Sequence, residues 1–388
     1  MSTKINIGVI GAGAMGSGIA QVAATAGHEV IILDSNPDML DRSKASLGKV
    51  LNRLVEKEKI TTNKASEITQ RIVYSTELHH LSNCGLVIEA IVENLKVKKQ
   101  VFADLEHVVK PECVLATNTS SLSVAAIGSA CQHPERVIGV HFFNPAPLMP
   151  LVEIVPAVQT KAETVSFTRS LVDSWGKITV LTKDTPGFIV NRVARPFYGE
   201  ALRILEEGIA DVPTIDWAMT ELGGFRMGPF TLMDFIGNDI NYTVTETVFH
   251  SFYCDPRYKP AFTQKRLAEA GYLGRKTGKG YYDYSKDAVK PQPSYDKLVG
   301  QQVVNRILIM LINEAADALF WNIATREDID LAMTKGVNYP AGLLKWADDI
   351  GIENCVNLMD QLHSEYLEDR YRCSPLLRKM VRDNKTFY

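Results

Sequence analysis

Short apolar runs alternate with longer amphipathic segments along the first half of the chain. The first run occupies residues 5–10 and the second occupies residues 29–33, with a glycine-rich turn and an alanine-rich segment between them. Similar runs recur at 85–88, 113–116, 136–140 and 177–181. Helical patterns separate several of these runs. Strands that alternate with helices in this way predict an α/β, Rossmann-like, doubly wound parallel sheet.

From about residue 185 the pattern becomes helical, with apolar residues at helical spacing over 196–207, 214–222 and 230–252. A shift of 114 residues aligns Val-Asn-Arg at 190–192 with Val-Asn-Arg at 304–306 without a gap. The all-α helical domain is therefore predicted in two tandem copies. The predicted domains are an NAD-binding Rossmann-like domain at 1–185, a first helical copy at 186–285 and a second, degenerate copy at 295–388, after a proline-containing linker.

The glycine-rich turn reads Gly-Ala-Gly-Ala-Met-Gly at 11–16, between a predicted strand and a predicted helix. Gly11 permits the tight turn, Gly13 lets the backbone approach a diphosphate, and Gly16 lets helix and strand pack closely. The diphosphate would lie at the helix N-terminus. Asp34, 23 residues after Gly11, is placed to bind ribose hydroxyls and favours NAD over NADP. The alternative is a glycine-rich turn that binds no ligand.

The same stretch could be mistaken for a membrane span, because residues 5–27 contain no charged side chain. Six glycines fall within it, however, and it divides into a strand-like and a helix-like part. A buried strand, a turn and a buried helix explain it better than a membrane span. We expect neither membrane association nor a signal peptide before the first predicted strand.

Composition narrows the class of protein without naming a function. The chain has 388 residues, 46% hydrophobic and 22% charged, which predicts two or three globular domains. A net charge of −3 shows no basic excess, so we expect no nucleic-acid partner. The six cysteines are widely spaced without CxxC, which predicts buried, reduced thiols, no metal site and a cytoplasmic location.

Four polar residues at the ends of predicted elements are candidates for catalysis. Ser120 follows the strand at 113–116, His141 follows the strand at 136–140, Glu153 lies twelve residues after His141, and Asn191 begins the helical region. A histidine held by a carboxylate is a good general base near neutral pH. Taken singly, His141 could be structural, Glu153 a surface charge and Ser120 a helix N-cap. Spacing alone does not bring the four side chains together.

Five motifs in one order resemble the 3-hydroxyacyl-CoA dehydrogenase family: 11–16, Glu-Ala-Ile-Val-Glu-Asn at 89–94, Asn-Thr-Ser-Ser at 118–121, His-Phe-Phe-Asn-Pro at 141–145, and Asp-Thr-Pro-Gly-Phe-Ile-Val-Asn-Arg at 184–192. The similarity extends from about residue 4 to Lys-Thr-Gly-Lys-Gly-Tyr-Tyr at 276–282. The resemblance implies reversible, NAD-dependent oxidation of an L-3-hydroxyacyl-CoA to the 3-ketoacyl-CoA, as in fatty acid β-oxidation and related lipid metabolism.

Residue roles follow from the resemblance by position. The catalytic His–Glu pair corresponds to His141 and Glu153, and the contacts to the reacting oxygen correspond to Ser120 and Asn191. The implied cofactor contacts are Gly11, Gly13, Ala14, Met15, Gly16, Asp34, Glu93, Lys98, Ser120, Asn144 and Lys276. Coenzyme A contacts correspond to Ser46 and Arg53, although the family often has lysine where Arg53 stands.

The second helical copy has no second nucleotide fold upstream of it, and we expect it to pack on the first copy as a built-in partner. The chain would then be a monomer with an internal pseudo-dimer, or a homodimer. Two other functions remain open. One is another β-hydroxyacid dehydrogenase, although those enzymes generally rely on a lysine base. The other is a non-enzymatic, crystallin-like NAD-binding protein, against which the intact catalytic set argues.

Overall fold

The structure of the chain is a computed structural model that describes residues 4–388. The chain divides between Phe188 and Ile189 into two compact units. The sequence-predicted boundary at 185 lies close to this division. Both predicted helical copies fall in the second unit, and each unit is described by itself below.

The first unit contains one eight-stranded sheet. Its strands are β1 (Asn6–Ile10), β2 (Val30–Leu33), β3 (Ile72–Ser75), β4 (Cys84–Glu89), β5 (Val114–Thr117), β6 (Val137–Phe142), β7 (Leu151–Pro156) and β8 (Ile178–Leu181). The spatial order is β3-β2-β1-β4-β5-β6-β7-β8. All neighbouring strands are parallel except β6 and β7, which are antiparallel. The predicted Rossmann-like class is confirmed, with β7 and β8 running opposite to the other six strands.

Helices cover both faces of this sheet, because its strands are apolar on both sides. They are α1 (Ala14–Thr25), α2 (Pro37–Glu56), α3 (Thr62–Gln70), α4 (Leu95–Glu106), α5 (Val124–Gly128) and α6 (Ala162–Ser174). Ile7 and Val9 belong to one hydrophobic core, and Ile10 and Leu115 belong to the other. The strand order reverses at β1, which pairs with β2 on one side and β4 on the other. Ligands of such sheets bind beyond the carboxyl ends of the strands at this reversal.

The second unit is helical. Its helices are α7 (Val190–Val193), α8 (Arg195–Glu206), α9 (Val212–Trp217), α10 (Pro229–Ile236), α11 (Asn238–Ser251), α12 (Phe262–Glu269), α13 (Lys297–Phe320), α14 (Arg326–Gly336), α15 (Leu343–Ile350), α16 (Ile352–Tyr366) and α17 (Pro375–Asp383). The predicted helical stretch 230–252 is two helices, because Gly237 adopts φ 106° between them. The segment 288–296 has no regular structure, in agreement with the predicted linker.

The prediction of buried cysteines is confirmed for Cys84, Cys113, Cys355 and Cys373, whereas Cys131 is half-buried and Cys254 is exposed. Within residues 4–388, no helix combines the length and the apolar character that crossing a bilayer would need.

Candidate active site

The glycine-rich turn joins β1 to α1 and has the geometry that its sequence predicts. Gly11 adopts φ 105°, and a Cβ there would lie 2.6 Å from the carbonyl oxygen of Ala90. A Cβ at Gly16 would lie 1.8 Å from the carbonyl oxygen of Gly11. Gly13 is different, because a Cβ there would meet no atom within 4 Å. Gly13 is the N-cap of α1, and no side chain caps the first N–H groups of this helix. These N–H groups can therefore bind a diphosphate.

Asp34 follows β2 and faces the glycine-rich turn. Its Oδ2 accepts a hydrogen bond of 2.8 Å from the backbone N–H of Ala12, and its Oδ1 accepts one of 3.0 Å from Asn36. These two bonds fix the carboxylate at the end of β2 next to the turn. Each oxygen keeps a lone pair that can accept a ribose hydroxyl. The prediction that Asp34 selects NAD over NADP is consistent with this position.

Glu93 organises the loop that follows β5. Its Oε1 accepts bonds from the hydroxyls of Thr119 (2.5 Å) and Ser121 (2.9 Å) and from the backbone N–H of Ser120 (3.0 Å). Burial acts to raise the pKa of Glu93, but the nearby ammonium of Lys98 and these hydrogen bonds together hold the pKa below its ordinary value. An ionised Glu93 therefore fixes the backbone at Ser120.

Two residues that sequence reasoning did not single out complete this cluster. Glu89 ends β4 and is fully buried, and its Oε1 accepts a 2.6 Å bond from Lys98 Nζ. Asn118 Oδ1 accepts a 2.8 Å bond from the backbone N–H of Phe142, which ties the end of β5 to the end of β6. The signal for Glu89 was an acid at the end of an apolar run, four residues before Glu93.

His141 and Glu153 are paired across the two antiparallel strands. They are directly opposite in the register of β6 and β7, so their side chains share one face of the sheet. His141 Nδ1 lies 2.6 Å from Glu153 Oε2, and the two residues are 6% and 0% exposed. The rings of Phe143 and Phe188 pack against the imidazole at 4.5 and 5.6 Å between centroids. The alternative that Glu153 is a surface charge is wrong.

The segment that leads out of the first unit is attached to α5. Asp184 accepts hydrogen bonds from the hydroxyl of Ser123 and from the backbone N–H groups of Val124 and Ala125, at 2.8 to 3.0 Å. Ser123 Oγ in turn accepts the N–H of Ala126, so Ser123 and not Ser120 is the side-chain cap of this helix. The alternative that Ser120 is the N-cap of this helix is therefore wrong.

Three further predicted site residues of the first unit are exposed at its surface. Asn144 is exposed in the loop between β6 and β7. Ser46 and Arg53 are both exposed on α2. They are seven residues apart, which places them on one helix face, about 10 Å apart along the axis. The structure thus permits both α2 residues to contact one extended ligand.

Two predicted site residues belong to the second unit. Asn191 lies in α7, and its carbonyl oxygen accepts a 2.9 Å bond from Arg195 Nε. Lys276 lies in a short turn, where its Nζ donates to both oxygens of Asp239 at 2.6 and 2.7 Å. Burial acts to raise the pKa of Asp239, whereas its bonds from Lys276 and from backbone N–H groups lower it by more.

The first unit thus brings most of the predicted residues to the carboxyl ends of β1, β4, β5 and β6. An open glycine turn, the Asp34 carboxylate beside it, a loop held by Glu93 and a buried His–Glu pair occur along this edge. These groups can hold a dinucleotide and can move a proton from a hydroxyl near the sheet. The chemistry that they suit is hydride transfer to a nicotinamide coupled to loss of a proton from an alcohol.

Comparisons with known proteins agree with this chemistry. The profile of the 3-hydroxyacyl-CoA dehydrogenase NAD binding domain matches residues 6–185. The profile of the 3-hydroxyacyl-CoA dehydrogenase C-terminal domain matches residues 187–284 and again residues 302–386.

Individual relatives extend over most of the chain. The 3-hydroxyadipyl-CoA dehydrogenase of Escherichia coli strain K12 is 38% identical over 96% of this chain and 96% of that protein. A crystal structure of 3-hydroxybutyryl-CoA dehydrogenase from Escherichia coli K12 substr. MG1655 is 36% identical, has a TM-score of 0.92 and covers 98% of both chains. The (S)-3-hydroxybutyryl-CoA dehydrogenase of Ralstonia eutropha is 37% identical, with a TM-score of 0.70, over 73% of this chain and 100% of that chain. This chain therefore belongs to the 3-hydroxyacyl-CoA dehydrogenase family, and it is an NAD-dependent oxidoreductase of that type.

Proposed function

We propose that the chain oxidises an L-3-hydroxyacyl-CoA reversibly to the 3-ketoacyl-CoA, with His141 as the general base and Glu153 as its partner. The observation that carries the proposal is the buried 2.6 Å contact between His141 Nδ1 and Glu153 Oε2. A carboxylate at this distance orients the imidazole and stabilises the imidazolium that forms when the base takes a proton.

The path of the substrate proton follows from this arrangement. With the Nδ1 proton directed at Glu153, the lone pair of the imidazole is on Nε2, which accepts the proton of the 3-hydroxyl. The NAD cofactor, when bound, accepts the hydride that leaves C3. In the reverse direction the His141 imidazolium returns the proton to the 3-keto oxygen. The phenylalanine rings beside His141 limit the access of water to the reacting centre.

Ser120 and Asn191 are proposed to hold the reacting oxygen of the substrate. The backbone of Ser120 is fixed by its 3.0 Å bond to Glu93 Oε1, which supports a positioning role for its hydroxyl. Asn191 supplies an amide that can donate to the same oxygen. We assign Ser46 and Arg53 on α2 to the coenzyme A portion, where Arg53 would meet an anionic group.

The cofactor contacts are proposed on the same basis. The diphosphate would lie at the turn that contains Gly11, Gly13, Ala14, Met15 and Gly16, with the adenosine ribose on Asp34. Glu93 and Lys98 would contact the nicotinamide half, together with Asn144, and Lys276 would contribute from the second unit. The widely spaced cysteines without CxxC support a cytoplasmic location.

We also propose that the second helical copy serves as a built-in partner of the first. Two buried ion pairs support this proposal, because they are reciprocal under the shift of 114 residues. Arg192 Nε lies 2.7 Å from Glu314 Oε1, and Arg306 Nε lies 3.0 Å from Glu200 Oε2. Arg306 is the repeat counterpart of Arg192, and Glu314 is the counterpart of Glu200. Such exchange of equivalent contacts is characteristic of a two-fold interface.

Local geometry within the two halves supports the same proposal. Asp216 accepts the backbone N–H groups of Phe230 and Thr231, and Asp330 accepts those of Leu344 and Lys345, 114 residues later. Gly237 and Gly351, also 114 residues apart, adopt φ 106° and 93° between consecutive helices.

The test of the partner role is removal of residues 295–388, followed by light scattering and thermal unfolding. We expect the shortened chain to unfold at lower temperature or to associate through its exposed helical face. An unchanged oligomeric state together with an unchanged midpoint of thermal unfolding would contradict the proposal.

The test of the catalytic proposal is NADH oxidation with 3-ketoacyl-CoA thioesters of increasing chain length, a 3-keto dicarboxylic thioester included. His141→Ala should lose about 10²- to 10⁴-fold in turnover, the contribution typical of general-base catalysis. NADH affinity, measured by fluorescence, should be nearly unchanged. The matched control is His133→Ala, an exposed histidine of the same unit. Wild-type turnover in His141→Ala would refute the assignment, and NADPH preference would refute the role of Asp34.

A further inference from the structure

Glu89 is a fully buried acid near the proposed nicotinamide end of the site, and the proposed reaction does not use it. It is 0% exposed at the end of β4, opposite Ile10 of β1 and Thr117 of β5 in the register of the sheet. An ionised carboxylate at such a place loses its hydration, which costs free energy unless several donors replace the water. The surrounding residues supply those donors.

Three donors converge on the two oxygens of Glu89. Oε1 accepts Lys98 Nζ at 2.6 Å and the backbone N–H of Ile91 at 2.8 Å. Oε2 accepts the hydroxyl of Thr117 at 2.8 Å. The carboxylate is therefore held on both sides, and it anchors the first residues of the loop that continues to Glu93.

Lys98 passes this constraint on to the site. Its side chain is 1% exposed, and its Nζ lies 3.2 Å from Glu93 Oε2 in addition to its bond with Glu89. The other oxygen of Glu93 accepts the backbone N–H of Ser120. A continuous series of charged contacts therefore runs from Glu89, through Lys98 and Glu93, to the backbone of Ser120.

The ammonium of Lys98 has three N–H groups. One of them is donated to Glu89 Oε1, and Glu93 Oε2 lies 3.2 Å from the same nitrogen, so the two carboxylates together restrict the position of the ammonium. A freely rotating surface lysine has no such restriction, whereas Lys98 can present its remaining N–H groups to a ligand from a defined place.

We infer that Glu89 is a positioning residue for the cofactor and for Ser120, and that it acts through Lys98 and Glu93. The inference rests on the proposed roles of Lys98, Glu93 and Ser120. In this assignment Glu89 touches neither cofactor nor substrate. It fixes the Lys98 ammonium for the nicotinamide half of NAD and keeps Glu93 in place under the loop that carries Ser120.

A purely structural role makes a different prediction. If Glu89 only stabilised the fold, its replacement would lower the unfolding temperature and leave the kinetic constants of the folded fraction unchanged. A positioning role changes KM for NAD and kcat in the folded enzyme. KM for the acyl-CoA should stay near its wild-type value, because Ser46 and Arg53 are on another element.

The experiment uses the full chain with Glu89→Gln, which keeps the size of the side chain and removes its charge. We expect KM for NAD to rise about tenfold and kcat to fall about tenfold, the change expected when a hydrogen bond to a charged group is weakened. Glu89→Asp keeps the charge, but its side chain is one methylene shorter and the carboxylate lies farther from Lys98. Its KM for NAD and its kcat should lie between those of Glu89→Gln and wild type.

The matched control is Glu106→Gln, at the C-terminal end of α4, the helix that carries Lys98. The side chain of Glu106 is 7% exposed and also pairs with a cation, Arg136, at 3.3 Å. This control should lose thermal stability while keeping KM for NAD and kcat. Equal kinetic constants in Glu89→Gln and Glu106→Gln would overturn the inference.

Lys98→Met separates this inference from the proposed function. If Lys98→Met leaves KM for NAD unchanged, the proposed cofactor contact of Lys98 is wrong, and the inference is lost with it. If Lys98→Met raises KM for NAD but Glu89→Gln does not, the contact stands and Glu89 does not position it.

Discussion

Replacing Glu153 with glutamine keeps the shape of a buried side chain and removes its charge. In the structure Glu153 is 0% exposed, and its Oε2 is 2.6 Å from Nδ1 of a histidine that is 6% exposed. Because little water reaches the pair, little solvent screening weakens the attraction between carboxylate and imidazolium. The attraction is largest when His141 has taken the proton of the substrate, so its loss acts on the transition state.

The size of the effect follows from the burial of the pair. Removing one partner of a buried ion pair costs about 3–5 kcal/mol. Since about 1.36 kcal/mol corresponds to a factor of ten in rate, kcat of Glu153→Gln should fall roughly 150- to 5,000-fold. The glutamine amide would also donate toward Nδ1, which favours the tautomer that cannot accept a proton on Nε2.

The assay is steady-state oxidation of NADH with a short 3-ketoacyl-CoA, accompanied by thermal unfolding and NADH fluorescence. Glu163→Gln, an exposed acid in α6, is the matched control and should match wild type. Glu153→Gln should keep its NADH affinity because the glycine-rich turn is unchanged. A kcat within threefold of wild type, in a variant that is fully folded, would show that the carboxylate does not support the base.

Three further outcomes follow from the structure. Gly13→Ala should keep its unfolding temperature because the new Cβ meets no protein atom, but it should bind NAD at least tenfold more weakly in a fluorescence titration because the Cβ occupies the space for the diphosphate. Gly11→Ala should lose stability as well, since φ 105° and the nearby carbonyl oxygen of Ala90 oppose a side chain. Glu314→Gln should unfold about 6–20 °C lower in a thermal scan, from about 3–5 kcal/mol for a broken buried pair, while the exposed Glu269→Gln should change by a degree or two. Because the pKa of Glu93 is lowered, its ionised carboxylate contributes fully to stability above the ordinary pKa of 4.5, and this contribution is lost as the pH falls through the lowered pKa. Glu93→Gln lacks this contribution, so its resistance to urea should fall less on acidification than that of the wild type.

The sequence predicted the nucleotide-binding half well because its signals are local. A strand–turn–helix needs a residue without a side chain at particular positions, and this is where Gly11, Gly13 and Gly16 lie. Asp34 lies at the end of the next strand. The spacing of His141 and Glu153 was less informative. Twelve residues bring the two side chains together only because β6 and β7 pair antiparallel in one particular register, which no local pattern specifies.

The buried polar network was the part that sequence reasoning did not find. Glu89 looks like the polar end of an apolar run, and its partner Lys98 looks like one of several exposed lysines at the start of a helix. Their pairing depends on how α4 packs against the sheet, which is a tertiary property. The same holds for Arg192 and Glu314, 122 residues apart, whose contact depends on the packing of distant helices.

The two reciprocal arginine–glutamate pairs of the second unit are formed within one polypeptide. Their formation is therefore a first-order process, and dilution does not separate the partners, unlike the subunits of a dimer. The linker at 288–296 keeps the effective concentration of one half around the other high at any concentration of the protein. On the proposal that the second helical copy is the built-in partner of the first, the first copy would keep this support at the low copy numbers at which an assembly of separate chains would dissociate.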